Sequence, residues 1–420
     1  MQAKRQPVDR KLMKDINQNT LLNLIRSHAP ISRPQLTTLS GLSPATVMSL
    51  TNRLIEHGFV QEMGMAESTG GRKAALLEIR PDAGFAVGLA VRGFETTGVL
   101  VNLHGDIIFA ERREITLRHE HTRAIALLAD CVTEMLTHAG VSADRVIGVG
   151  CALSGYIDAQ AGRCVDSWNL GWHHVEISQP LSHRLSLPTF IDNDVSCLTT
   201  YEKLFGRCNG CQNFLTVSLG RGVGLGLVIN GDVYRGAAGG AGEFGHTVVV
   251  VGGRLCECGK RGCLEEYVSF RGIIANYQEY LGKATDAGAM RHALPAWDMQ
   301  HEEALIFELL KWADQGDEAA RLAFQHSGEL LGIGLANLVN VLNPECILLT
   351  GEGTIAERYV LSSMEAVLRQ HIFSELGSSL RVLVDPLMSY ENWARGAGAL
   401  VLHHFFASSV LLSPSRFLGT

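Results

Sequence analysis

His246 is followed by Cys256, Cys258 and Cys263, three thiols in a Cys-x-Cys-x4-Cys spacing behind one imidazole. Three thiolates and an imidazole are the soft sulfur and nitrogen donors that close a tetrahedral zinc shell and leave no open catalytic position. Glycines at 259 and 262 let the backbone turn tightly enough to bring three sulfurs to one ion. A dithiol redox pair uses the same residue type, but a third cysteine and a histidine favour metal. Two carboxylates, Glu243 and Glu265, bracket the knot without belonging to its donor set. The expected zinc is therefore a structural staple that aims its neighbours. A second pair, Cys208 and Cys211, has no nearby partners in sequence and reads as two incidental loop thiols.

A chain of 420 residues has room for two or three domains around a large core. Its composition, 46% hydrophobic and 19% charged, is that of an ordinary globular protein and excludes a disordered one. No apolar run approaches the ~20 residues of a membrane helix, so no membrane span is expected. The start, Met1 through Pro7, lacks the apolar core of a secretory signal. A reducing, cytoplasmic location is expected, with the ten cysteines as metal ligands and buried thiols instead of disulfides. Charge is unevenly spread: residues 1–80 hold eleven Lys/Arg against six Asp/Glu, although the whole chain is −7. A basic head on an acidic body suggests an anionic partner for the head alone.

The head has the pattern of a winged helix-turn-helix. Leu21, Leu22, Leu24 and Ile25 fall on one face of a helix over 15–28. Ser32 and Pro34 start a second helix that Gly41 ends, and Ser43-Pro44 starts a third that runs to His57 before Gly58. The third helix carries Thr46, Ser49, Asn52 and Arg53 on its polar side, as a recognition helix would. Residues 59–62 and 75–79 read as wing strands around a glycine-rich tip with Arg72 and Lys73. Double-stranded DNA is the expected partner. Arg33, Ser43, Thr46, Ser49, Asn52 and Arg53 are its candidate contacts on the helices, and Arg72 and Lys73 those on the wing. A small helical packing domain with the same caps is the bland alternative.

From Gly84 onward the pattern changes. Strands over 84–91, 95–103 and 106–116, a helix over 122–139 and a strand over 145–153 precede a strand at 188–192 and a helix at 195–205. The order recurs with strands at 213–219, 223–229 and 232–235, an Asn230-Gly231 hairpin turn, a helix over 317–342 and a strand over 346–350. A last helix starts near Trp393. Two such units predict an α/β, actin-like and ribonuclease-H-like two-lobed body behind the head.

Residues 153–158 (Leu-Ser-Gly-Tyr-Ile-Asp), Asp192-Asn193-Asp194, 218–224, Gly242-Glu243-Phe244-Gly245-His246 and the cysteine run together resemble the ROK family, which groups bacterial repressors with sugar kinases. The likeness spans about residues 84–405 and, with the head, is similar to the repressor branch. It implies a head over 1–80, a small lobe over 81–192 completed by the terminal helix of about 393–420, and a large lobe over 193–392. It implies His246, Cys256, Cys258 and Cys263 as zinc ligands, and Asn193, Asp194, Glu243, His246 and Glu265 as sugar-binding residues. Convergent carboxylates and amides suit a polyol. A strand-to-helix cap is the competing reading of Asn193-Asp194.

In the kinases of that family, an aspartate at the position of Asp194 is the catalytic base, and a first phosphate loop reads Asp-x-Gly-x-Thr. Here Ala90 and Arg92 stand where its aspartate and glycine belong, and Arg221 replaces a small hydroxyl residue between Gly220 and Gly222. Phosphoryl transfer depends on positioning and charge stabilisation, so no catalytic residue is expected and the body is read as a sugar sensor. An active ATP-dependent sugar kinase is the alternative, with Gly351 and Gly353 lining a nucleotide cleft. A sugar effector is expected, or a protein partner in its place. A homodimer or homotetramer is expected as well, since such heads read paired half-sites. The apolar stretches at 325–342 and 400–406 are assigned to the core.

Overall fold

The computed structural model describes residues 10–65, 74–283, 302–385 and 389–407. It forms two compact units, Met1–Phe205 with Trp393–Thr420, and Gly206–Asn392. The first unit opens with α1 (Arg10–His28), β1 (Ile31–Ser32), α2 (Arg33–Ser40), α3 (Pro44–Glu56), β2 (Val60–Met65) and β3 (Ala75–Ile79). Local chemistry sets these boundaries. Ser32 and Gln35 form a reciprocal capping box at the start of α2. Gly41, at φ 66°, ends that helix in the left-handed region that favours glycine. Leu21, Leu22, Ile25, Leu36, Leu50 and Leu54 bury themselves between the three helices. The strands pair in the order β1-β3-β2.

The chain continues through β4 (Phe85–Val91), β5 (Glu95–Asn102), β6 (Ile107–Glu114), α4 (His121–Ala139) and β7 (Val146–Leu153). Then come β8 (Tyr156–Asp158), β9 (Arg163–Ser167), β10 (Trp172–Glu176), α5 (Ser178–Leu185), β11 (Thr189–Asn193) and α6 (Asp194–Leu204). The main sheet runs β11-β7-β4-β5-β6, with β4, β7 and β11 parallel to one another. The small sheet β10-β9-β8 and α5 have no counterpart in the sequence reading. Their strands are short and broken by glycines and polar residues, so no two-residue period develops.

In the second unit β12 (Phe214–Leu219), β13 (Val223–Ile229) and β14 (Asp232–Val233) precede α7 (Glu265–Val268), α8 (Phe270–Lys283), α9 (Glu302–Asp314) and α10 (Glu318–Leu342). Strand β15 (Cys346–Thr350), α11 (Glu357–His371) and β16 (Arg381–Val384) follow, and α12 (Tyr390–Ala407) carries the chain back to the first unit. The sheet order β14-β13-β12-β15-β16 repeats the plan of the first. Asn230 and Gly231 both have positive φ, as a type I′ hairpin requires. Strand β14 stops at Val233, two residues short of expectation.

Helix α10 buries Phe324, Leu331, Leu335 and Val339, and Leu400 and Phe406 of α12 are buried too. Both apolar stretches therefore lie in this chain's own core. Gly88 and Gly150 face each other across β4 and β7. A Cβ on either would come within 1.9 or 2.0 Å of a carbonyl of α12, so glycine is what lets the helix backbone press onto the sheet. The unit boundary falls after Phe205, so α6, expected in the large lobe, packs with the first unit instead. No described helix is long and apolar enough to cross a membrane.

Candidate functional site

The knot begins where Gly242, at φ 106°, passes so close to β13 that a Cβ would sit 2.1 Å from the Leu225 carbonyl. Phe244 and Leu264 anchor it in the core beneath. Two isolated bridges, Val248 to Cys263 and Leu255 to Arg261, fold the intervening loop back on itself. His246 Nδ1 then lies 3.6 Å from Cys256 Sγ, and Cys258 Sγ lies 3.6 Å from Cys263 Sγ. One donor atom from each of the four residues falls within 4.8 Å of all the others. This cluster can hold a metal ion. It is the one His/Cys/Asp/Glu group of that kind among the described residues.

Burial pushes the Cys256 and Cys263 thiols up. Cys258 is held below the usual thiol range: burial opposes this, but the Lys260 backbone N–H and the neighbouring thiols outweigh it. A bound cation would favour the thiolate form of all three. Two arginines that the sequence reading passed over clamp the loop. Arg254 donates to the Glu266 carbonyl at 2.6 Å and lies 4.6 Å over the Tyr267 ring. Arg271 bridges Glu257 and Glu266. Their signal in sequence was an arginine on either side of a carboxylate-rich stretch, which without a fold is only surface charge.

The carboxylates gather at the same corner. Glu243 Oε2 lies 4.0 Å from His246 Nε2, the ring nitrogen turned away from Cys256. Glu265 accepts the Val223 N–H at 3.0 Å. Burial pushes its carboxyl up, opposed by that N–H and by His246 and Arg271. In the first unit, Asn193 caps α6. Its Oδ1 accepts from the Val195 and Ser196 N–H groups at 2.9 and 3.3 Å, and its Nδ2 donates to the Gly155 carbonyl at 3.1 Å. Asp194 also accepts the Val195 N–H, at 2.9 Å. The structural role weighed against sugar binding is thus present at Asn193. Beside it Asn169 donates to Ser154 at 3.3 Å, a pair the sequence reading did not single out.

Cys208 and Cys211 lie in the loop between α6 and β12, as expected, and both are buried there. Cys208 Sγ lies 3.9 Å from Cys346 Sγ, and Cys211 Sγ accepts from Arg381 at 3.0 Å. Cys346 is too distant in sequence for spacing to reveal it.

On the head, Ser43 accepts the Thr46 N–H at 3.2 Å as the cap of α3, and its hydroxyl meets that of Thr46 at 2.9 Å. Ser49 and Asn52 are exposed and Arg53 is half-buried at the flank. Arg33, expected among the DNA contacts, has partners inside the head. Its guanidinium donates to Thr51 at 3.0 Å, Glu62 at 2.9 Å and Asn52 at 3.2 Å, which ties α2, α3 and β2 together. A side chain held by three partners and only 17% exposed braces α3 within the head. Arg72 and Lys73 lie outside the described residues.

A sequence model of the ROK family matches residues 87–404. The chain belongs to the ROK family. A winged helix-turn-helix DNA-binding model matches residues 14–61 ahead of the ROK region. The xylose repressor of Bacillus subtilis is 30% identical over 94% of this chain and 97% of its own length. The DNA-binding transcriptional dual regulator NagC of Escherichia coli is 28% identical over 93% of each. Among solved structures, a ROK family transcriptional regulator described as a homologue of E. coli MLC superposes with a TM-score of 0.81 at 24% identity, covering 96% of this chain and 99% of that one. A ROK family glucokinase from Streptomyces griseus, in complex with glucose and AMPPNP, gives 0.60 at 24% identity over 76% and 99%. The two superpositions carry the fold alone.

At the two loops where the resemblance would place phosphate, the residues differ from the expected pattern. Ala90 is buried in β4, so the strand end offers no carboxylate for a metal–phosphate complex. Arg92 closes the β4–β5 hairpin, its N–H on the Glu95 carbonyl at 2.9 Å. In the second unit Glu352 turns its carboxylate to within 2.8 Å of where a Gly220 Cβ would be.

Proposed function

We propose that this ROK protein is a sugar-responsive transcriptional repressor of carbohydrate-utilisation genes whose kinase-like body senses its effector and does no phosphoryl transfer. The carrying observation is that the relatives named as repressors align with head and body together, over 94% of the chain in the B. subtilis case. Ala90, where the phosphate-loop aspartate belongs, supports the loss of kinase chemistry. We assign recognition of sugar hydroxyls to Asn193, Asp194, Glu243, His246 and Glu265. Their acceptors and amide groups are the chemistry a polyol needs.

Zinc fits the knot. Zn–S and Zn–N bonds of about 2.3 and 2.0 Å set tetrahedral edges of roughly 3.5–3.8 Å, beside the two 3.6 Å separations found. His246, Cys256, Cys258 and Cys263 would hold the ion, which supplies rigidity and no reaction. His246 Nε2 stays turned toward Glu243, so fixing the ring also fixes that carboxylate's neighbour.

Coupling to the head runs through α6. This helix of 11 residues starts beside Asn193 and ends at Leu204, whose carbonyl accepts from Arg26 of α1 at 3.0 Å. Arg26 also lies over the Phe205 and Phe406 rings, and Asn23 donates to the Phe406 carbonyl at 2.7 Å. A ligand that shifts the start of α6 between two positions thereby biases the head between two states. We assign DNA binding to a homodimer or homotetramer.

Hexoses and pentoses, D-xylose and N-acetylglucosamine first, are to be added to the complex of the full-length protein with its operator. One sugar is expected to weaken binding at least tenfold, and Arg26→Ala to keep sugar affinity while losing most of that release. No effect from any sugar removes the sensing reading. ATP turnover with a bound sugar, abolished in Asp194→Asn, would establish the kinase alternative.

A further inference from the structure

Helix α3 buries Val47, Leu50, Thr51 and Leu54 and turns its opposite face outward. Most polar groups on that face are committed inside the head. Ser43 and Thr46 hold each other in the helix cap. Asn52 Oδ1 accepts from Arg33 at 3.2 Å, and an asparagine reads adenine in the major groove only with both its oxygen and its nitrogen. What stands outward in the first two turns is Pro44, Ala45, Met48 and Ser49, three of them apolar and all exposed. Met48, at 49% exposed, contributes little to the core.

One exposed apolar side chain on an ordinary helix needs no explanation. Three on the opening turns of a recognition helix are the groups that meet base edges. The major groove offers one apolar feature to match them, the C5 methyl of thymine. We propose that α3 reads thymine methyl groups through Met48 and Ala45, so that the bound half-site carries A·T pairs opposite the first two turns of the helix. The anchoring falls to Arg53 at the flank, while Arg33 sets the helix angle from behind. This inference rests on the DNA-binding reading of the head.

Duplexes selected from a randomised pool on the full-length protein supply the probe. Each thymine of the enriched half-site is then replaced by deoxyuridine, which removes the methyl group and leaves the hydrogen-bonding edge intact. One or two thymines are expected to show about fourfold weaker binding, the effect of exposing one buried CH₂-sized group. Met48→Ala should abolish the penalty at one of them with an unchanged salt dependence, and Met48→Leu should keep it. An enriched duplex that tolerates deoxyuridine everywhere, or a penalty undiminished in Met48→Ala, overturns the inference and leaves DNA binding standing. A pool with no enriched sequence overturns both.

Discussion

The two five-stranded sheets share one strand plan, yet the chain treats them differently. In the first, α4 leads from β6 to β7, and glycines at 88 and 150 admit the backbone of α12 onto the sheet. In the second, the corresponding pair of strands sets Thr216 beside Leu348, and the span from β14 to β15 holds the cysteine knot and four helices. One copy has become a mount that ties the head to α6 and α12. The other has become a carrier for inserted chemistry. Divergence of this kind follows from where each copy can accept change: a sheet face pressed by a helix backbone tolerates no side chain, whereas a connection between strands tolerates long insertions.

Removing the ion should produce the largest effect, confined to the second copy. Cys258→Ser is expected to lower bound zinc from one equivalent to near zero by elemental analysis. Hydrogen exchange should then open residues 247–264 while β4 and β7 stay protected. Equal loss of protection in both sheets would break the contrast. Next in size is Gly150→Ala, whose Cβ would lie 2.0 Å from the Ala397 carbonyl. Urea unfolding should show the first unit destabilised by about 3 kcal/mol or more, with zinc content unchanged. The smallest effect is expected for Asn193→Ala, which removes a helix cap and its tether to Gly155. About 1 kcal/mol of stability should be lost, but sugar affinity should fall by more than that if the residue also meets ligand. A sugar affinity unchanged in this variant would leave Asn193 a cap alone.

Local features of the site were legible in sequence. The cysteine spacing closes its ring within eight residues of chain, and the Ser32 and Ser43 caps act over three. The strand repeat was legible too, because long apolar alternation survives without knowledge of neighbours. The short strands β8 to β10 were not, since they owe their pairing to the loop after β7 and not to their own pattern.

By itself, then, the sequence determined the cysteine and histidine cluster, the helix caps, the repeated plan and the charge of the head. Each of these depends on residues close along the chain or on periodicity. Only the tertiary structure decided that Arg33 turns inward to Glu62, that Cys208 meets a thiol 138 positions away, that Glu352 lies against Gly220, and that α6 belongs with the head. In all four cases the partner is set by how distant segments pack. Spacing along a chain carries no information about a contact whose closure is bought by the folding of everything between.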